Sequence, residues 1–406
     1  MVLIHRLRQF EADSRRPRTV RSNPVEGVEA ANPLGRFFKS EREHRRDHAH
    51  GRIILQHLFD IPAAVFEAVG KDAALGGLDA GKTVFLDTET TGLAGGTGTV
   101  PFLVGLGYFT ESGFRIEQFF MRDFDEEPAM LFSLREALGR FRFIVSYNGK
   151  AFDLNLLAAR FTLARMHNPL ERLPHLDLLH TARRLWRRRL GDCSLASIER
   201  GILGFVRQDD VPGFVIPHLY FEYLRTGNAG SLDAVFRHNQ WDILALAALT
   251  GLTGRIFDKP HEHLDHALDF LSLGRVMENR FRLEEAAACF LRALDHPLEP
   301  EEREEVLTRL GLVWKRLGLW EKAVPIWEYG VRHLPFSPAP YEELAKYYEH
   351  GLRDFVKALE WTERALERLA MLVELKPDPS LEGDRRELQI RLKRLKRKLQ
   401  VETSEK

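Results

Sequence analysis

Apolar residues along this chain follow two different spacings, and the switch between them divides it. KTVFLDTET is a β-branched and aromatic run, and VPFLVGLGYF and GFRIEQFFM repeat that character on either side of a short turn containing Gly113. These three segments predict neighbouring strands in an antiparallel meander. A helical stretch from Pro128 to Gly139 leads into RFIVSY, a compact apolar strand, and then into AFDLNLLAARFTLARM, whose apolar positions recur at helical spacing. Strands followed by strand-helix alternation predict an α/β domain with a mixed sheet. From His175 to Leu252 the pattern is mostly helical and ends in AVFRHNQWDILALAALTGL, while RIILQHLFDIPAAVFEAV (Arg52–Val69) predicts a helix lying against the same domain.

Outside this block the character changes. From Met1 to about His50 the chain is rich in Arg and Ser, carries Pro17, Pro24 and Pro33, and shows no sustained periodicity, so a tail or an irregular wrap is expected. Beyond about His261 it is purely helical. LGRVMENRFRLEEAAACFLRALD, LGLVWKRLGLWEKAVPIWEYGV and LAKYYEHGLRDFVKALEWTERAL align at a period of about 35 residues, with Ala287, Ala323 and Ala358 opening each second helix. They look like tetratricopeptide-type repeats, without the full consensus in any copy, and three copies suffice to bury a continuous core. RRELQIRLKRLKRKLQ follows as a basic helix, either a solvated cap or a contact for nucleic acid or a partner. The expected organisation is an irregular segment over 1–50, an α/β domain over 51–258, helical repeats over 259–372 and a charged helix over 373–406.

Composition limits what such a chain can do. With 406 residues at 44% hydrophobic content, two cored domains are expected. Lys+Arg and Asp+Glu are equal at 59 each, which excludes a global positive field, so any polyanion must meet a local patch. Cys193 and Cys289 are too few for a disulfide framework or a zinc cage and fit a reducing cytosol. No stretch reaches the roughly 18 uninterrupted apolar residues of a membrane span, so a soluble, unexported, cytoplasmic protein is expected.

The candidate chemistry is carboxylate chemistry. Asp87 and Glu89 lie two apart on an apolar strand and therefore share a face. Their mutual repulsion is relieved by a hard cation such as magnesium or manganese; the competing reading is a polar strand end running into a turn. In SYNGKAFDLNLL a strand delivers Tyr147 and Asn148 to a turn and Asp153 opens a helix, where it serves either a site or the helix dipole. His238 and Asp242, four apart on a later helix, share a face as a site or as a surface pair. The loop GLAGGTGT offers backbone amides to a phosphate or is simply a tight connection. Asp177 is a supporting group or a helix-start carboxylate. Arg183, Arg184, Arg187, Arg188 and Arg189 form the densest positive patch of the domain, with Trp186 as a stacking surface for a base or a buried residue of a solvated helix.

Taken jointly and in this order, a strand DxE, an Asn then an Asp at a strand-to-helix turn, and an Asp four after a His on a later helix resemble the DEDD, or DnaQ-like, 3′-to-5′ exonuclease superfamily. FLDTETTGLAGGTGTVPFLVGLGYF, HLDLLHTARRLW, DDVPGFVIPHLY and HNQWDILAL look like its YprB-like subgroup, a likeness covering about Phe85 to Leu252. The resemblance implies a ribonuclease H-like fold, with Asp87 and Glu89 matching the first motif, Asp153 the second and Asp242 the third. It implies hydrolysis of DNA or RNA, at a single-stranded 3′ end, with two Mg2+ or Mn2+ ions about 3.5 to 4 Å apart. Asp87 would bridge them, Glu89 and Asp242 would hold the water-binding ion, Asp153 would support the other, and Thr90, Asn148, Arg183, Arg184, Trp186 and Arg187 would contact substrate. One departure stands out: the family's base is a His five before the last Asp or a Tyr four before it, whereas His238 is a His at the tyrosine spacing. With an ordinary pKa, His238 would orient or deprotonate the nucleophile. Two rivals drop catalysis: a silent nucleic-acid-binding scaffold, and an adaptor whose repeats dock a protein partner.

Overall fold

The computed structural model describes residues 23–92, 98–375 and 379–404. Expectations for residues 1–22, and for 93–97 within the glycine-rich loop, lie outside these. The chain forms two compact units, one made of residues up to Arg183 together with Leu190–Lys259, the other of Arg184–Arg189 together with Pro260–Lys406.

The first unit carries strands β1 (Val28–Asn32), β2 (Gly35–Arg45), β3 (Ala49–His50), β4 (Ile53–Ile54), β5 (Thr83–Thr90), β6 (Pro101–Phe109), β7 (Gly113–Phe120), β8 (Phe143–Ser146) and β9 (His175–Asp177). Seven of them form one mixed sheet in the order β1-β2-β7-β6-β5-β8-β9. From β1 to β5 every pair is antiparallel, as the expected meander requires, whereas β5-β8 and β8-β9 are parallel. β5 is thus the strand at which pairing changes from antiparallel to parallel, and its register with β6 shifts between Glu89 and Thr90.

Three segments depart from the sequence-based expectation. β1 and β2 occupy a stretch expected to be irregular. Only Phe37, Phe38 and Ser40 of β2 are buried, and its charged half is satisfied across the ladder, where Glu43 faces Arg115 of β7 and accepts its Nη2 at 2.7 Å. Partners more than 70 residues away leave no periodicity to read. The stretch Arg52–Val69 is not one helix, because Pro62 disfavours the helical conformation at the residue before it. It is β4, a short 3-10 helix over Leu55–Asp60, and α1 (Val65–Gly70). His175–Asp177, expected to be helical, is an edge strand beside β8.

Helices α2 (Glu127–Leu138), α3 (Asp153–Leu163), α4 (Leu178–Leu190), α5 (Ile216–Thr226) and α6 (Leu232–Asp258) complete the unit, α4 passing its Arg184–Arg189 to the other. Aromatic rings fix α5 and α6 on the sheet. Tyr220 stacks on Phe102 at 3.9 Å and donates its hydroxyl to the Met121 carbonyl at 3.0 Å, and Phe236 lies edge-on to Phe120 at 5.2 Å. Each such buried ring contributes about 1.5–3 kcal/mol.

The second unit is all helical: α7 (Ala267–Asn279), α8 (Leu283–Leu294), α9 (Pro300–Arg316), α10 (Trp320–His333), α11 (Pro338–Lys346), α12 (Phe355–Leu375) and α13 (Pro379–Ser404). Gly274 of α7 lies against Phe290 of α8, and Gly311 of α9 against Trp327 of α10, each so closely that a Cβ would meet the ring at 2.5 Å. Ala287, Ala323 and Ala358 are all buried. On the basic α13, Leu388 and Leu395 are buried, and Arg391, Arg394 and Lys398 converge on the fully buried Glu349 at 2.7 to 2.9 Å. Among the described residues no helix is long and apolar enough to cross a membrane.

Candidate functional site

The site is built where α6 crosses β5. Asp87 and Glu89 project from the same face of β5, and α6 returns His238 and Asp242 one turn apart towards them. Its approach depends on a missing side chain. Gly105 pairs with Asp87 across β5-β6, and a Cβ there would lie 2.2 Å from Asn239 Oδ1. In that space Asn239 Nδ2 donates to Asp87 Oδ2 at 2.8 Å while its Oδ1 accepts from Gln118 Nε2 of β7 at 2.8 Å. Gln240 Nε2 donates to Gln118 Oε1 at 2.9 Å, so a ladder of amides ties α6, β7 and the first carboxylate together.

His238 Nε2 lies 3.4 Å from Asp242 Oδ2 and 4.0 Å from Glu89 Oε1. One ligand atom from each of Glu89, His238 and Asp242 falls within 4.8 Å of the others. Asp153, the first residue of α3, is buried and accepts a hydrogen bond from Thr88. The turn before it is shaped by Asp177, whose carboxylate accepts the backbone N–H groups of Asn148 (2.8 Å), Lys150 (3.0 Å) and Leu179 (3.1 Å) and so holds Asn148 at φ +65°. Asp177 is therefore the support of the turn that delivers Asp153.

The electrostatics follow from crowding. Burial, then Asp242, Glu89 and Asp153, push the Asp87 carboxyl well above its usual range. Burial lifts Glu89 to about 8 against the pull of His238, and lifts Asp153 to about 6 against the bond from Thr88. His238 does not have the ordinary pKa expected: burial works to lower it, but Asp242, the bond to Asp210 and Glu89 together raise it to about 9. Glu89 is only 8% exposed, and its Oε1 accepts no hydrogen bond. An orphaned, buried carboxylate oxygen beside three further carboxyl groups and one imidazole suits a hard divalent cation.

Residues that the sequence did not single out also belong here. Arg207, on the segment between α4 and α5 with its side chain 7% exposed, hydrogen-bonds Asp242 and donates Nε to Glu199 Oε2 at 2.7 Å and Nη1 to Asp210 Oδ2 at 3.2 Å. Asp210 Oδ1 lies 2.7 Å from His238 Nδ1. Asn239 stood visibly within HNQWD, whereas Arg207 and Asp210 sit in irregular chain without a periodic signal.

Several expected substrate contacts are placed differently. Trp186 is 1% exposed, so it offers no face to a base: it belongs to the apolar side of α4. Arg184 is turned inward, where burial pushes its guanidinium down to about 10. Arg188 and Arg189 are engaged by Glu305 and Asp269, each at 2.7 Å, while Arg183 and Arg187 are exposed. Thr90 is buried and spends its hydroxyl on the Gly92 carbonyl at 2.7 Å, while Asn148 is exposed.

Residues 84–253 match the model of the RNase_H superfamily, whose members are nucleic-acid hydrolases that generally use divalent metals. The chain is also 31% identical over 366 residues to the uncharacterized protein YprB of Bacillus subtilis (strain 168), covering 88% of this chain and 85% of that one. Those matches, on a mixed sheet whose pairing changes at the strand carrying the carboxylates, identify the chain as a member of the RNase_H superfamily, in a family it shares with YprB.

Proposed function

We propose that this protein is a metal-dependent exonuclease that shortens single-stranded DNA or RNA from the 3′ end, with Asp87, Glu89, Asp153 and Asp242 holding two Mg2+ or Mn2+ ions. The observation that carries the reading is Glu89 Oε1, buried, without a hydrogen bond, and surrounded by carboxyl groups that raise one another. Such a cluster is destabilised by its own charge unless a cation offsets it. When bound, two divalent ions supply an activated water and a stabilised leaving oxygen.

The chain's own groups do the rest. The amide ladder through Asn239 orients Asp87, Thr88 orients Asp153, and His238 exchanges the proton at Nε2, the nitrogen facing Glu89 and Asp242. The carboxylates that hold the imidazole cationic are those that bound ions would neutralise, which would leave His238 able to act as a base. Asn148 and Arg183 are the exposed candidates for substrate contact within the first unit. Action from the 3′ end is supported by the DEDD-type order of the motifs. In the helical unit, the glycine-on-aromatic packing at 274 and again at 311 supports tetratricopeptide-like repeats that present a face to a protein partner.

The test is cleavage of end-labelled single-stranded DNA and RNA with Mn2+ or Mg2+, read by product length, for wild type and Asp87→Ala. Ladders shortening from the 3′ end that vanish in the variant are expected. No metal-dependent cleavage of either polymer would discard the enzyme in favour of a nucleic-acid-binding scaffold.

A further inference from the structure

His238 presents one nitrogen to the carboxylates, and something must decide which. Its Nδ1 lies between two charged groups: Asp210 Oδ1 at 2.7 Å and Arg207 Nη1 at 3.4 Å. A guanidinium only donates and a carboxylate ion only accepts. The nearer partner is the acceptor, so Nδ1 carries the proton and gives it to Asp210, while Arg207 Nη1 donates to the other Asp210 oxygen at 3.2 Å. Nε2 is then the nitrogen left for chemistry, 3.4 Å from Asp242 and 4.0 Å from Glu89.

The segment bearing Asp210 is held by a shell of its own. Arg207 is fixed at its far side by Glu199, whose second oxygen lies 2.8 Å from His50 Nε2, both side chains being 1% exposed. Asp209, immediately before Asp210, is held at φ +52°, a conformation that L residues rarely adopt, and its carbonyl accepts from Arg237 Nη2. Backbone in that region persists where its surroundings impose it.

We propose that Asp210 is a positioning residue for His238, locked in place by Arg207, that fixes the imidazole with Nδ1–H on Asp210 and Nε2 on the reacting side. This supplies what the unusual spacing of His238 lacks: a partner from another segment that aims the ring. The consequence for catalysis rests on the nuclease reading, whereas the ring's orientation rests on the distances alone.

The experiment combines nuclear magnetic resonance of 15N-histidine-labelled, metal-free full chain with steady-state kinetics in Mn2+. In wild type the His238 Nδ1 proton, assigned by its loss in His238→Gln, is expected downfield and protected from exchange. Asp210→Ala loses it, and kcat falls roughly 10- to 100-fold, the usual effect of removing such a partner, while KM and Mn2+ affinity stay within about twofold. Asp210→Asn, which restores an acceptor without charge, recovers the protected proton and part of kcat. A protected Nδ1 proton that survives in Asp210→Ala overturns the proposal, as does a loss of kcat matched by an equal loss of Mn2+ affinity. If wild type cleaves nothing, the nuclease reading fails, and the Nδ1 resonance alone decides the positioning role.

Discussion

Gly105 is where the site is most sensitive to a single methyl group. A Cβ there would come within 2.2 Å of Asn239 Oδ1 and 2.9 Å of its Cγ and Nδ2. Asn239 cannot swing away cheaply, because Oδ1 is held by Gln118 and Nδ2 by the Asp87 carboxylate. Overpacking of this kind costs about 1–3 kcal/mol, and giving up two hydrogen bonds of a neutral amide and a protonated carboxyl adds about 1–3 kcal/mol. Gly105→Ala is therefore expected to cost about 2–6 kcal/mol and to lower the melting temperature of the metal-free protein by roughly 4–24 °C, at about 2–4 °C per kcal/mol for a unit of this size. Mn2+ affinity measured by calorimetry should fall with it, since Asp87 loses its orienting amide. The double variant Gly105→Ala/Asn239→Ala should lose less than the two single variants together, because Asn239→Ala removes the atoms that clash. A Gly105→Ala protein that melts within about 2 °C of wild type and binds Mn2+ as tightly would refute the claim that this glycine makes room for the ladder.

Two further tests address charge. Glu89 carries its proton up to about pH 8 in the native state against an ordinary 4.5, and His238 and Asp153 are raised as well. The native state then binds more protons than the unfolded chain, so in EDTA the melting temperature should fall as pH rises from about 5 to 8, and saturating Mn2+ should flatten that fall; a rise with pH would contradict the crowding described above. In the helical unit, Glu349→Gln leaves Arg391 and the more exposed Arg394 and Lys398 around a neutral amide and should cost about 1–3 kcal/mol, read as easier urea unfolding by circular dichroism; unchanged unfolding would show that the cluster adds nothing.

What could be read from the chain alone was whatever repeats locally. The alternation that puts Asp87 and Glu89 on one face, and the helical step from His238 to Asp242, are properties of single elements and were legible. The mixed sheet followed from the order of strands and helices. β1 and β2 were not legible, because the charges on β2 make sense only opposite β7. Trp186 read equally as a ring to stack on or a ring to bury, since one turn of helix does not say which side meets the core. Arg207 and Asp210 were hidden for a further reason: irregular chain has no period, and their meaning comes from the side chains they reach.

The register shift in β5 between Glu89 and Thr90 sets where this protein can change length. Because strand side chains alternate, one residue gained or lost between Thr83 and Asp87 would turn both acidic groups into the opposite layer, and one between Asp87 and Glu89 would put them on opposite faces, so either abolishes the centre. Past Thr90 that constraint ends, and each doubling of a connecting loop adds only about 0.6 kcal/mol of closure entropy. Insertions tolerated by relatives should therefore gather between Thr90 and Pro101, where added chain leaves the alternation of β5 and the groups that act untouched.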